Sequence, residues 1–126
     1  ESVISNVDNV LLFSDYIFSK YEFNLPVCYD NLHDLCNPSE VENIRWQAER
    51  CAYTWVNQGD GDDNFLAPVF HWSEGTPEKP RAHADYFALG NFPPLIAIEP
   101  SMEAKWECEV KAKDKAIKLL LRDFEK

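Results

Sequence analysis

The strongest constraint on this sequence is a helical stripe in its first half. Val41, Ile44, Ala48, Cys51, Ala52 and Trp55 recur three and four residues apart. An α-helix places them on one face, about 100° wide. Asn37 offers an N-cap, Pro38 suits the first helical position, and Glu40 falls in the acid-preferring first turn. Gln58-Gly59 end the stripe. A helix with one apolar face needs a second layer to cover it.

A second stripe precedes this one. Ser5 and Asp8 form an S-x-x-D capping pattern, and Val10, Phe13, Ile17 and Tyr21 follow at helical spacing. Leu11, Leu12, Tyr16 and Phe18 widen the stripe, so this helix is expected to be well buried. Asn24 to Pro26 end it. Residues 26–37 read as an irregular connection or a short turn of helix.

The period then changes. Phe65 to Trp72 read as a strand, with Pro68 hinting at an edge position. Residues 73–85 are charged and proline-rich and read as an exposed loop. Leu95 to Ile98 suit a short buried strand. From 104 to 112 the chain alternates: Ala104, Trp106, Cys108, Val110 and Ala112 point one way, with charges between them. From about Lys113 the period is helical again, with Ala116, Ile117, Leu120, Leu121 and Phe124. The expectation is an α+β fold: two N-terminal helices, a small antiparallel sheet of about three strands, and a C-terminal helix. At 126 residues this is a single domain, 1–126, able to bury a core without metal or disulfide staples.

Charge is distributed unevenly. Residues 1–63 carry 12 acidic groups against 3 basic ones, and residues 64–126 carry 10 against 9, for a net charge of −10. That balance argues against direct nucleic-acid binding and against anionic membranes, and for a basic protein partner. No apolar run approaches the ~18 residues needed to cross a bilayer. No basic segment precedes the first apolar stretch, so no signal peptide is expected. The 4 cysteines are too few for a disulfide scaffold at this length. These features together suggest a cytoplasmic protein, and no cofactor is expected.

Four groupings bear on chemistry. Asp60, Asp62 and Asn64 match the start of an EF-hand loop, but Phe65 and His71 stand where its glycine and bidentate glutamate belong, so a solvated turn is expected. Cys28, His33 and Cys36 are spaced too loosely for a typical zinc site, and the two cysteines read as buried or partly buried thiols. His71, His83 and Asp85 are candidates for a metal or acid–base centre, and H-x-D puts His83 and Asp85 on one face of a strand. Lys111, Lys115, Lys118, Arg122 and Lys126 line one side of the last helix, which reads as its solvated face. No nucleophile elbow, P-loop, dinucleotide fingerprint or H-E-x-x-H is present.

The second helix carries the most suggestive surface. Glu42, Trp46, Glu49 and Tyr53 cluster away from its core stripe, as aromatic anchors flanked by carboxylates. Joined with Asp60, Asp62 and Asp63, they outline an acidic partner-binding face. The function expected is therefore a small acidic binding protein, not an enzyme, that neutralises a basic partner. An immunity protein against a nuclease toxin and a phage-encoded inhibitor of a host defence nuclease both fit. The alternative is a small metal-dependent hydrolase using His71, His83 and Asp85.

Overall fold

The computed structural model describes residues 6–40, 43–55, 67–88 and 104–124. Four helices and two strands follow in the order α1 (Val7–Tyr21), α2 (Asn31–Cys36), α3 (Ile44–Tyr53), β1 (Val69–Ser73), β2 (Lys105–Glu109) and α4 (Asp114–Phe124).

The two strands pair in parallel, with Val69 opposite Lys105 and Ser73 opposite Glu109. A third extended segment lies on the other side of β1. There Asp30 bridges His71 in the parallel sense, and the His71 N–H donates to the Tyr29 carbonyl at 2.8 Å. This corrects the expected antiparallel sheet of about three strands. Alternation assigns each side chain to a face but carries no strand direction. A parallel pair needs a crossover of a dozen or more residues, and residues 74–104 are long enough to supply it. The strand expected at Leu95 to Ile98 lies outside the described residues.

One sheet face is aromatic. Tyr29 meets Phe70 edge-on at 6.0 Å, Phe70 meets Trp106 at 5.3 Å, and Trp72 meets Trp106 at 5.7 Å. Each such contact is worth ~0.5–1.5 kcal/mol beyond burial. Val7, Val10 and Leu11 of α1 pack on this face, as do Ala48, Cys51 and Ala52 of α3. Loops tie the layers together: Trp55 Nε1 donates to the Val27 carbonyl at 2.9 Å, and the Val27 N–H donates to Thr54 Oγ1 at 2.7 Å.

Helix ends differ from the sequence expectation. Asn6 caps α1, its side chain accepting from the Asn9 N–H at 2.9 Å, while Ser5 lies outside the described residues. Asn43, not Asn37, caps α3, accepting from the Trp46 N–H at 3.0 Å; Asn37 closes α2 instead. Contacts with α1 hold residues 39–40 out of the helix. Ser39 Oγ accepts from the Asp8 N–H, and Asp8 Oδ2 accepts from the Glu40 N–H, both at 3.3 Å. Nor is α1 well buried. Val7 and Ser14 face inward, but Leu12, Phe13, Tyr16, Phe18 and Tyr21 are exposed.

Candidate metal centre

The other sheet face is polar, and strand alternation explains why. His71 and Ser73 of β1 and Glu107 and Glu109 of β2 point opposite to Phe70, Trp72, Trp106 and Cys108. Asp30 joins them from the neighbouring extended segment. Asp30, His71 and Glu109 each bring a ligand atom within 4.8 Å of the others.

Asp30 ends its extended segment as the N-cap of α2. Its Oδ1 accepts from the N–H groups of Leu32 and His33 at 2.9 Å each, and its Oδ2 lies 3.8 Å from His71 Nδ1. His71 Nδ1 also faces Glu109 Oε1 at 3.4 Å, while Nε2 faces Glu107 Oε2 at 3.1 Å. Ser73 Oγ donates to Glu109 Oε2 at 3.1 Å, and His83 Nε2 lies 3.9 Å from that same oxygen. Asn31 fixes the end of β1: its Oδ1 accepts from the Ser73 N–H at 2.7 Å, and its Nδ2 donates to the Ser73 carbonyl at 2.9 Å.

The spacing suits a cation. Two ligands about 2.1 Å from a tetrahedral ion stand ~3.4 Å apart, close to the separations around His71 Nδ1. One imidazole with two carboxylates is a donor set for zinc or manganese rather than calcium. The ligands considered at Cys28, His33 and Cys36 are not part of it. All four cysteines are free thiols, Cys36 Sγ points at the Pro80 carbonyl at 3.7 Å, and His33 is exposed. Burial, with Asp30 next in importance, raises the Cys28 thiol above its ordinary value.

His83 reaches the centre on a folded loop. Gly75 and His83 form an antiparallel bridge, and the Ala84 N–H donates to the Glu74 carbonyl at 2.6 Å. Gly75 makes the loop possible, because a Cβ there would run into the Pro80 carbonyl. The segment after β2 holds the loop from the other side: the N–H groups of Lys111 and Ala112 donate to the carbonyls of Ala84 and Asp85 at 2.9 and 3.0 Å.

Of the hydrolase residues expected from sequence, His71 and His83 are therefore brought together through Glu109. Asp85 is exposed and outside the cluster. Asp30 and Glu109 were missed. Glu109 carried a signal, as a carboxylate on the polar side of the 104–112 alternation.

The partner-binding residues fall elsewhere. Trp46 and Tyr53 are 43% and 60% exposed on the outer side of α3. Glu49 pairs with Arg45 at 3.0 Å, and the Arg50 guanidinium sits 4.5 Å from the centre of the Trp46 ring. Glu42, Asp60, Asp62 and Asp63 lie outside the described residues.

No protein-family model and no curated protein sequence matches this chain. A solved structure does. The chain is similar in fold to part of SacUVDE. The match to that crystal structure has a TM-score of 0.68 at 23% sequence identity and covers 95% of this chain. The chain spans 36% of the length of SacUVDE. Among the described residues, no helix is long and apolar enough to cross a membrane.

Proposed function

We propose that this chain carries the cation-binding part of a metal-dependent hydrolase acting on phosphodiesters. The observation behind the reading is the convergence of Asp30, His71 and Glu109 on the polar face of a parallel sheet. Ligand sites of open α/β sheets lie at the carboxyl ends of the strands, where Glu109 closes β2. The fold likeness to part of SacUVDE, a DNA repair endonuclease, supports the substrate class. A divalent cation bound here would acidify a water and steady a phosphoryl oxygen. Asp30 and Glu109 supply charge, Glu107 orients His71, and Ser73 holds Glu109 in place.

Calorimetric titration with Mn²⁺ and Zn²⁺ tests the reading. Uptake that is lost in His71→Ala and Glu109→Gln, and kept in Asp85→Asn, is the expected result. Absence of uptake in the wild-type protein sinks it. Metal-dependent hydrolysis of bis(p-nitrophenyl) phosphate is the matching activity test.

A second reading keeps the acidic binding protein, supported by the exposure of Trp46 and Tyr53. Both aromatics keep exposed surface, as an interface anchor requires, although Arg50 stacks on the Trp46 ring. The partner would be a basic protein such as a nuclease or nuclease toxin. Reversing the charges of Asp60, Asp62 and Asp63 should then slow association, without touching metal uptake. An unchanged association rate counts against it.

A further inference from the structure

A phosphodiester strand approaching a protein of net charge −10 is repelled at long range. A hydrolase of that charge therefore needs local cations beside its metal centre. The loops at the carboxyl ends of β1 and β2 supply them. Lys79 and Arg81 lie on the loop that carries His83, and Lys111 and Lys113 lie two and four residues after Glu109 at the end of β2.

The two loops are fastened together. The Lys111 N–H donates to the Ala84 carbonyl at 2.9 Å and the Ala112 N–H to the Asp85 carbonyl at 3.0 Å, while the Lys113 N–H closes the second loop on the Val110 carbonyl at 3.2 Å. Within the first loop, Thr76 Oγ1 accepts from the Lys79 N–H at 3.0 Å, and the Ala82 N–H donates to the Lys79 carbonyl at 2.9 Å. The four cations thus stand on an ordered rim. Lys79, Arg81 and the backbone between them wall an open cavity of about 600 Å³ that reaches Cys36 at the end of α2.

Arg45, Arg50, Lys118 and Arg122 all form ion pairs with carboxylates. Lys79, Arg81, Lys111 and Lys113 are exposed. Seven of the described cations, Lys20, Lys105 and Lys115 together with these four, make no ion pair with a described residue. Glu78 and Asp85 lie on the same loop as Lys79 and Arg81 and interrupt the rim.

We propose that Lys79, Arg81, Lys111 and Lys113 form a phosphate-binding rim that seats a nucleic-acid strand across the Asp30–His71–Glu109 centre. This rests on the hydrolase reading for its substrate class, and it reverses the exclusion of nucleic acid drawn from net charge. Each cation neutralises a backbone phosphate, which confers affinity and register without base specificity.

Fluorescence anisotropy with a labelled single-stranded oligonucleotide, in EDTA, measures the rim apart from the metal. Wild-type binding should weaken steeply with salt. Lys79→Gln/Arg81→Gln should lower the slope of log K against log[salt] by about 1.4, at ~0.7 per phosphate contact. Lys111→Gln/Lys113→Gln should do the same. Lys118→Gln/Arg122→Gln, on paired residues of α4, should leave the slope unchanged. Circular dichroism confirms that each variant is folded, and Mn²⁺ titration of the same proteins reports the centre separately. Loss of strand binding with Mn²⁺ uptake intact supports the rim. Wild-type protein that binds no strand at low salt, or rim variants that bind like wild type, overturn it. Strand binding without Mn²⁺ uptake leaves the rim standing and removes the hydrolase reading.

Discussion

His71 and Glu107 are register partners across the parallel strand pair, and their side chains meet on the polar face, with Nε2 3.1 Å from Oε2. With Nε2 turned to Glu107, Nδ1 faces Asp30 and Glu109. This is the carboxylate–histidine arrangement that fixes the tautomer and orientation of a metal-ligating imidazole. Glu107→Gln should therefore weaken Mn²⁺ or Zn²⁺ binding by about 10–100-fold while leaving the melting temperature nearly unchanged. Isothermal titration measures the loss, and unaltered affinity would remove Glu107 from the site.

Asn31 acts as a short extra strand partner for Ser73, accepting from its N–H and donating to its carbonyl. Ser73 is 1% exposed, so water cannot replace the lost acceptor. Asn31→Ala should cost about 1–3 kcal/mol in denaturant unfolding. Asn31→Asp keeps the acceptor and should recover part of the loss.

Asp8 on α1 is bonded to Arg50 on α3, with Oδ1 2.6 Å from Nη1. That guanidinium holds the Asp8 carboxyl below its ordinary value of 3.8. The folded state thus favours the ionised form. Its contribution is present above about pH 4 and lost as pH falls through the lowered folded value. The pair is partly exposed, so about 0.2–1 kcal/mol is at stake. Asp8→Asn should flatten the acid limb of stability against pH by that amount, read as the urea midpoint between pH 5 and pH 2.

Cys51 is 0% exposed in the layer between α3 and the sheet. Burial pushes its thiol from 9.0 up to about 12. At pH 8 native protein should resist iodoacetamide at Cys51, with full labelling in denaturant, as peptide mass mapping would show. Because the folded value is raised, stability is unaffected below about pH 9 and falls as pH rises toward 12. Cys51→Ala should reduce that alkaline loss. Tyr29, whose hydroxyl is raised by burial and by Asp34, contributes to the same limb.

Much of the layering was legible in the sequence. Ala48, Cys51 and Ala52 face inward on α3, Ala116 and Leu120 do so on α4, and Trp106 packs on the aromatic side of β2. The α1 reading went wrong for a physical reason. Its apolar residues run nearly all round the helix, and the described layers cover only the side bearing Val7, Val10 and Leu11. Periodicity identifies a helix, but not how much of its circumference has a neighbour. Asn37 and Pro38 made a sound capping signal that lost to tertiary bonds between Asp8 and residues 39–40.

The candidate centre divides along the same line. His71 and His83 stood out as residue types, and Asp85 was joined to them by spacing alone. Sequence by itself determined which residues take the helical face of α3 and which alternate along β2, because those periods are properties of a local backbone. The direction of strand pairing was decided by tertiary structure, and so was the meeting of Asp30, His71 and Glu109 from three distant segments. A side chain's face is fixed by its own strand, but its neighbours across the sheet are fixed by how the chain returns, which local pattern does not record.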